Sequence, residues 1–262
     1  MSLILLRFQG LFNYRFLLKE LIIRDIKLKY RRSFLGYIWS ILNPLMMMMV
    51  LAVIFSNLFR FNIPNYPMYL ITGSTLFGFM GEATSMAIYS ITGNAALIKK
   101  IYVPKYIFTL SRVTSSLVNL LFSMVAIVIV ALFTGVKVTP LILLFPIVVI
   151  EVYVFSLGLS LFLASSSVFF RDLQYLWGIF ITMWNYLTPI FYPISIIPEK
   201  YRFIYSVFNP MVGYVTQFRD VVIYGRMPEV GIVCLGVLFA SVSIVIGTYI
   251  FQRSQDNFIL YI

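Results

Sequence analysis

In KYRRSFLGYIWSILNPLMMMM, residues Lys29 to Met49, a dense basic cluster leads directly into a long apolar segment. The cluster consists of Lys29, Arg31 and Arg32, and no further charged side chain occurs before Arg60. Basic side chains favour the anionic cytoplasmic face of a membrane, and an apolar run of about twenty residues is long enough to cross the hydrocarbon. The stretch therefore predicts a transmembrane helix that begins in the cytoplasm.

The composition of the whole chain agrees with a membrane protein. Of its 262 residues, 61% are hydrophobic and only 11% are charged, whereas about 25% are charged in a typical soluble domain. The formal net charge is +11, but the basic residues lie beside hydrophobic runs rather than among aromatic residues on a soluble face. We therefore expect membrane lipids as a partner and no nucleic acid.

Several enzyme classes are excluded by residues that the sequence lacks. The chain contains no His, and its one cysteine, Cys234, lies in an apolar run. These facts exclude His-based catalysis, an intrachain disulfide and a His or thiolate metal site. No phosphate-binding loop and no nucleophile motif occurs either. The sequence thus predicts no catalytic, cofactor-binding or metal-binding residue.

Six apolar segments of spanning length predict an all-α polytopic membrane protein with six transmembrane helices. They lie at residues 36–58, 68–90, 113–134, 141–169, 175–191 and 231–251. We place both termini in the cytoplasm, because most of the 20 Lys and Arg residues then lie on the inner side. We expect a single domain over residues 1–262.

An amphipathic helix in the membrane interface is predicted for the N-terminal part, residues 1–32. A polar stripe at helical spacing is formed there by Glu20, Arg24, Lys27 and Arg31. Asp25 and Lys29 are spaced to form an i,i+4 ion pair, as are Glu20 and Arg24. The alternative is a basic flank that only sets the topology.

Two connections are longer than the others. The cytoplasmic one, residues 91–112, predicts a short helix before Pro104 that exposes Lys99 and Lys100 and buries Leu97, Ile98 and Ile101. It is either a docking helix or a solvated loop. The outer one, residues 192–229, is rich in Pro and aromatic residues and has apolar stretches too short to span. We expect re-entrant helices there, with an ordinary extracellular loop as the alternative.

Two acids lie within predicted spans. Glu82 and Glu151 each face either a polar interior or a membrane boundary, and the sequence leaves their roles open. Aromatic residues also recur at helical spacing: Trp177, Phe180, Trp184 and Phe191 would share one face of the fifth span. Such a stripe serves in packing or lines a path for sugar rings.

Three motifs resemble one family, the permeases of ABC-2 exporters, and most closely those that export O-antigen, capsule or teichoic acid. KYRRSFLGYIWSILNPL (29–45) resembles the entry to their first span, and FFRDLQYLW (169–177) resembles their turn between spans four and five. TPIFYP (188–193) with FNP (208–210) resembles their outer-side segment. The motifs occur in the family's order and extend over most of the chain.

The resemblance implies a homodimer of this chain with two copies of a cytoplasmic ABC ATPase, which would bind ATP and Mg. The location would be the bacterial inner or plasma membrane. It also implies an interface helix before span one, and outer gate helices between spans five and six. A coupling helix would contact the ATPase through Asn94, Leu97, Ile98, Lys99, Lys100, Ile101 and Tyr102.

The expected function is export of a lipid-linked polysaccharide or teichoic acid. The entrance would be formed by Lys29, Arg31, Arg32 and Tyr37, although the arginines could equally serve only to anchor the helix. The channel would be lined by Phe34, Trp177, Phe180, Trp184 and Phe191, and Arg171 with Asp172 would form a cytoplasmic turn. Alternatives are an ABC-2 permease for drugs or lipids, an ion-coupled carrier and a membrane-embedded transferase.

Overall fold

The computed structural model describes residues 13–31, 33–58, 63–137 and 139–262, and every regular element in these residues is helical. The helices are α1 (Arg15–Tyr30), α2 (Trp39–Leu58), α3 (Tyr66–Ile88), α4 (Ala95–Lys100), α5 (Tyr106–Thr134), α6 (Phe145–Phe169), α7 (Leu173–Leu187), α8 (Glu199–Phe208), α9 (Pro210–Arg219), α10 (Val230–Ser254) and α11 (Phe258–Tyr261). A π-helical turn, Asp220–Tyr224, follows α9, and short 3-10 turns precede or follow several helices. The predicted all-α class is confirmed.

Four helical segments are long and apolar enough to cross a membrane: Gly36–Phe55, Tyr106–Thr134, Pro140–Phe169 and Val230–Tyr261. They correspond to the first, third, fourth and sixth predicted spans. The second and fifth predicted spans are helices as well, α3 and α7. However, α3 is rich in Gly, Ser and Thr, and α7 has only 15 residues.

The predicted fifth span, residues 175–191, was drawn too long. Helix α7 ends at Leu187, and Thr188 has extended backbone angles, with φ −92° and ψ 134°. The cause is Pro189, because its ring disfavours helical angles in the residue before it. Phe191 therefore does not lie on the helical face that carries Trp177.

Helix α3 lies at the centre of the bundle and packs against α2, α5, α6, α7 and α9. Most of its residues are buried, among them Met68, Leu70 and Met80, which are fully inaccessible. Small residues allow helix backbones to approach closely inside a membrane protein. The least apolar of the predicted spans is therefore the one that other helices surround.

The closest helix crossing joins α6 to α10. A Cβ atom on Gly247 would lie 2.0 Å from the carbonyl oxygen of Gly158, so neither position has room for a side chain. Four residues before Gly247, the Ser243 hydroxyl donates a hydrogen bond of 2.9 Å to the Phe155 carbonyl. Small residues four apart on α10 thus create a seam of backbone contact.

Helix α2 is tied to α5 at a proline. Pro44 lies inside α2 and has no N–H group to offer the carbonyl of Ser40. The Ser123 hydroxyl of α5 donates to that carbonyl at 3.0 Å. A hydrogen bond from α5 thus takes the place of the bond within α2 that Pro44 cannot form.

Candidate coupling, entrance and gate sites

Helix α1 is held on α5 by a buried carboxylate. Leu21 and Asp25 lie one turn apart on the buried face of α1. The Oδ1 atom of Asp25 lies 3.1 Å from Arg24 Nη2 and 3.2 Å from Arg112 Nη1. The predicted pairing of Asp25 with Lys29 was wrong, because the carboxylate is turned towards α5 and Lys29 pairs with Glu82.

The same network reaches the predicted coupling segment. Arg24 Nη1 donates to Asn94 Oδ1 at 3.1 Å, rather than pairing with Glu20 as predicted. Asn94 is buried and donates in turn to the Ser90 carbonyl at 2.8 Å. At the other end of the segment, the Tyr14 hydroxyl of the α1 side donates to the Tyr102 carbonyl at 3.4 Å. Helix α1 and the residue before it therefore contact the predicted coupling segment at both of its ends.

The coupling segment presents a mixed basic and apolar surface. In α4, Ile98 is buried and Leu97 partly buried, whereas Lys99 and Lys100 are exposed, as predicted. Ile101 was predicted to be buried, but it is 46% exposed. The reason is that α4 ends at Lys100 and Ile101 has extended angles, φ −134° and ψ 143°, which turn its side chain off the helix face.

Exposure continues beyond the end of α4. The Tyr102 side chain is 94% exposed and follows directly after Ile101. Four neighbouring side chains of the segment thus face outward: Lys99, Lys100, Ile101 and Tyr102. Two cations and two largely apolar side chains therefore form one exposed surface.

A cavity of about 420 Å³ opens behind this surface, between the Tyr102–Tyr106 backbone and α6 and α10. At its rim, Lys105 Nζ donates to the Gln255 carbonyl. Burial lowers the pKa of Lys105, and the nearby Asp256 carboxylate partly offsets this shift. The residues that follow α10 are thus hydrogen-bonded to the loop between α4 and α5.

Two of the predicted entrance residues lie together. Lys29 and Arg31 line an open hollow of about 450 Å³ with Leu28 and Ser33. Tyr37 is exposed but lies against α5, where its ring stacks on Phe122 with a centroid distance of 6.1 Å. The fourth predicted residue, Arg32, lies outside the described residues.

Lys29 also makes an ion pair deeper in the protein. Its Nζ atom lies 2.9 Å from Glu82 Oε1, and Asn119 Nδ2 donates to the same oxygen at 2.7 Å. Glu82 therefore has two polar partners, one on α1 and one on α5. It joins α3 to α1 and α5 beside the predicted entrance residue Lys29.

Two members of the predicted aromatic stripe of α7 attach this helix to its neighbours by hydrogen bonds. The Trp177 indole N–H donates to Thr84 Oγ1 at 3.1 Å, and the Trp184 N–H donates to Asn209 Oδ1 at 2.8 Å. Phe180 lies between the two tryptophans, 5.2 Å and 5.4 Å from their ring centroids, and is 41% exposed. Phe180 is thus partly exposed, whereas the two tryptophans are hydrogen-bonded to Thr84 of α3 and to Asn209, between α8 and α9.

The other two predicted lining residues differ from each other. Phe34 is fully exposed and lies in a bend before α2. Phe191 is buried, and its ring stacks on Phe55 of α2 with a centroid distance of 5.6 Å. The structure does not bring Phe34 and Phe191 to one surface with Trp184.

Sequence reasoning missed Arg219, a buried cation at the end of α9. Arg219 Nη1 donates to the Pro189 carbonyl at 2.8 Å, and Nη2 donates to the Tyr69 carbonyl at 3.0 Å. Its guanidinium also lies 3.3 Å from the centroid of the Tyr69 ring. In the described residues no ion pair involves Arg219; the neighbouring acid, Asp220, pairs with Arg226. Carbonyl dipoles and a ring therefore hold this cation.

Arg219 is one of several groups that hydrogen-bond the non-helical turn after α7. The Tyr66 hydroxyl donates to the Phe191 carbonyl at 2.8 Å, and Asn209 Nδ2 donates to the Leu187 carbonyl at 3.1 Å. Non-helical backbone that is buried away from water requires such partners. The sequence signal was an Arg shortly after the apolar stretch that follows Pro210.

The remaining predicted residues occupy two further places. Glu151 is buried in α6, where Gln217 Nε2 of α9 donates to its Oε2 at 3.2 Å. Arg171 and Asp172 lie at the turn between α6 and α7, as predicted, and both are exposed. Arg171 borders a cavity of about 290 Å³ with Tyr89 and Gln174.

Comparison with known proteins identifies the family. Residues 17–223 match the ABC-2 type transporter family. The chain is 31% identical over 252 residues to the O-antigen export system permease protein RfbA of Myxococcus xanthus, covering 95% of this chain and 96% of that protein. It is also 31% identical to RfbA of Klebsiella pneumoniae (90% of each chain), and 22% identical to the polysialic acid transport protein KpsM of Escherichia coli (91% of this chain, 93% of that one). The chain belongs to the ABC-2 type transporter family.

Proposed function

We propose that this chain is the permease subunit of an ATP-driven exporter that moves a lipid-linked polysaccharide across the bacterial inner membrane. The observation that carries the proposal is the exposed coupling segment, which the Asp25 network attaches to both α1 and α5. The relatives, an O-antigen export permease and a polysialic acid transport protein, support a polysaccharide over drugs or lipids. A teichoic acid is a further polymer of the same general kind.

The proposed transporter contains two copies of this chain and two copies of a separate ABC ATPase, which binds ATP and Mg. Helices α3 and α7 supply the second and fifth spans, and both termini lie in the cytoplasm. Helices α8 and α9 re-enter from the outer side. The buried Arg219 and the hydrogen-bonded turn after α7 support this, because they satisfy non-helical backbone without water.

Coupling follows from the contacts of α4. Closure of the ATPase on ATP moves the segment that carries Lys99 and Lys100. Asn94 passes this movement to Arg24 on α1, and Asp25 passes it to Arg112 on α5. The largely buried Asp25–Arg112 ion pair is costly to separate, and the Arg24–Asn94 hydrogen bond joins the start of α4 to it, so α1, α4 and the start of α5 move together.

Substrate entry follows from the cations beside α1. Lys29 and Arg31 line one open hollow next to the beginning of the first span. Phosphate groups of a lipid carrier bind Arg and Lys by charge-assisted hydrogen bonds. The sugar chain then passes between α2 and α7 of the two copies, where Phe34 and Phe180 offer exposed rings to sugar C–H faces.

The test is charge reversal on the coupling surface. We expect Lys99→Glu/Lys100→Glu to weaken assembly with the ATPase and to reduce surface polymer at least tenfold, because two attractive charges become repulsive. Lys137→Glu, an exposed lysine outside the coupling segment, serves as the control. Wild-type complex formation and wild-type export by the double variant would exclude α4 as the coupling element.

A further inference from the structure

We propose that a polar cavity between α2, α3 and α5 binds a sugar unit of the exported polymer, and that the Lys29–Glu82 ion pair closes its cytoplasmic end. The inference rests on the proposed function and adds a binding site to it. The cavity measures about 250 Å³. Its wall includes polar side chains from all three helices: Asn43, Ser74, Thr75, Glu82, Asn119 and Ser123.

Two atoms in this wall lack partners. Thr75 Oγ1 and Asn119 Oδ1 are buried and have no hydrogen-bond partner within the part of the chain that the structure describes. The residues are only 8% and 5% exposed. An unpaired buried polar group costs about 1–3 kcal/mol, so a ligand hydroxyl that reaches either atom when the cavity opens recovers part of that cost.

Thr75 differs from the other threonines of α3. Thr72 and Thr84 each donate to the backbone carbonyl four residues earlier, at 2.8 Å and 2.7 Å. These bonds satisfy their hydroxyls within the helix. The Thr75 hydroxyl has no such bond, although it stands on the same helix. The unpaired hydroxyl is therefore not a general property of threonine in this helix.

The chemistry of the wall favours a neutral, hydroxyl-rich ligand. Each sugar hydroxyl both donates and accepts, as the Asn119 oxygen and the Thr75 hydroxyl require. The cavity's carboxylate, Glu82, is already neutralised by Lys29 at 2.9 Å, which disfavours a cation. Apolar side chains of Met47, Phe79 and Leu120 complete the wall and can contact sugar C–H groups.

Lys29 connects this cavity to the entrance. Its Nζ atom contacts Glu82 at the cavity, and the same residue lines the hollow shared with Arg31. An anionic phosphate in the hollow competes with Glu82 for Lys29. Arrival of the lipid-linked end therefore loosens the pair and opens the cavity to the first sugars.

The first test replaces the unpaired hydroxyl by a methyl group of similar shape. We expect Thr75→Val to lower the initial export rate per assembled transporter about tenfold, the effect of one lost hydrogen bond to the sugar. Thr72→Val, which removes only a bond within the helix, is the control. If the cavity takes no ligand, Thr75→Val instead raises the thermal stability and leaves export unchanged, and that result would overturn the proposal.

The second test identifies the occupant directly. A benzoylphenylalanine photo-crosslinker replaces Met47, which lines the cavity, or Val128, which is equally exposed on α5 but lies neither at the cavity nor on α2 or α7. After illumination of exporting cells, the denatured permease is stained for carbohydrate with periodate and a hydrazide dye. We expect carbohydrate on the Met47 variant and not on the Val128 variant.

The two proposals fail in different ways. Lipid or no adduct at Met47, in cells that export polysaccharide at the wild-type rate, overturns the sugar site and leaves the proposed function intact. Absence of any exported polysaccharide with the wild-type chain and its ATPase overturns both.

Discussion

Arg219 is the most deeply buried cation among the described residues. Its guanidinium is fully surrounded by protein, and its nearest partners are the carbonyls of Pro189 and Tyr69 and the ring of Tyr69. The adjacent Gly73 has no side chain, and a Cβ there would lie 2.6 Å from Arg219 Nη2. The guanidinium thus fastens α9 to α3 and to the turn after α7.

Removal of this cation should loosen the outer side of the molecule. We expect Arg219→Gln to destabilise the permease by about 2–4 kcal/mol, because charged hydrogen bonds are lost and buried carbonyls are left unpaired. This corresponds to a fall of roughly 5–10 °C in the melting temperature of the solubilised permease. Arg202→Gln, on the more exposed α8, is the control. Equal effects of both changes would contradict the assignment.

Asp25 should behave as part of a network. Asp25→Ala leaves Arg112 without its carboxylate, so we expect a loss of about 3–5 kcal/mol. In the double variant Asp25→Ala/Arg112→Ala, the losses should be less than additive, with a coupling energy of about 0.5–3 kcal/mol. Thermal unfolding of the four proteins measures this energy. Additive losses would show that the pair at 3.2 Å does not link α1 to α5.

At the scale of the elements, the seam between α6 and α10 fixes how closely these helices approach. Gly247 faces the backbone of Gly158, which cannot rotate aside as a flexible side chain can. Ser243 adds a hydrogen bond one turn earlier. The two longest apolar segments therefore form one rigid unit, to which α9 is attached through Glu151 and Gln217.

A single methyl group should disturb this seam. We expect Gly247→Ala to lower the melting temperature by at least 5 °C, because a Cβ at 2.0 Å from a backbone oxygen forces the helices apart. Gly231→Ala, at the start of α10, meets nothing closer than 3.9 Å and should leave stability unchanged or slightly raised. Tolerance of both substitutions would contradict the close crossing.

Some elements could be predicted because local physics determines them. The apolar run after Lys29, the helix before Pro104 and the exposure of Lys99 follow from hydropathy, helix period and charge. The end of α7 was predicted too late, because the apolar pattern continues past Pro189. That pattern was given more weight than the effect of Pro189 on the backbone of Thr188. The partners of Asp25, Lys29 and Arg219 lie far along the chain, so spacing within a helix could not indicate them.

At the scale of the whole molecule, α2 and α7 present broad apolar surfaces. Met46, Val50 and Val53 of α2 are exposed, as are Leu176 and Ile179 of α7. Lipid or a second copy of the chain must cover such surfaces. The exposed ring of Phe180 also lies on α7. The apolar surfaces of α2 and α7 therefore fit a path formed between two copies.

The proposed assembly predicts a defined stoichiometry. Coexpression of the chain with its ABC ATPase should yield a complex of two permease and two ATPase chains in a mild detergent, measured by native mass spectrometry. A permease that stays monomeric and binds no ATPase would contradict the assembly. The Lys99→Glu/Lys100→Glu variant should retain the permease dimer and lose the ATPase.

ATP-driven export is the central claim, and polymer at the cell surface measures it most directly. Cells without their own permease receive this chain together with either the active ATPase or an ATPase that binds but does not hydrolyse ATP. We predict polysaccharide at the surface with the active ATPase, and accumulation inside the cell with the inactive one. Equal surface polysaccharide with both ATPases would contradict the account.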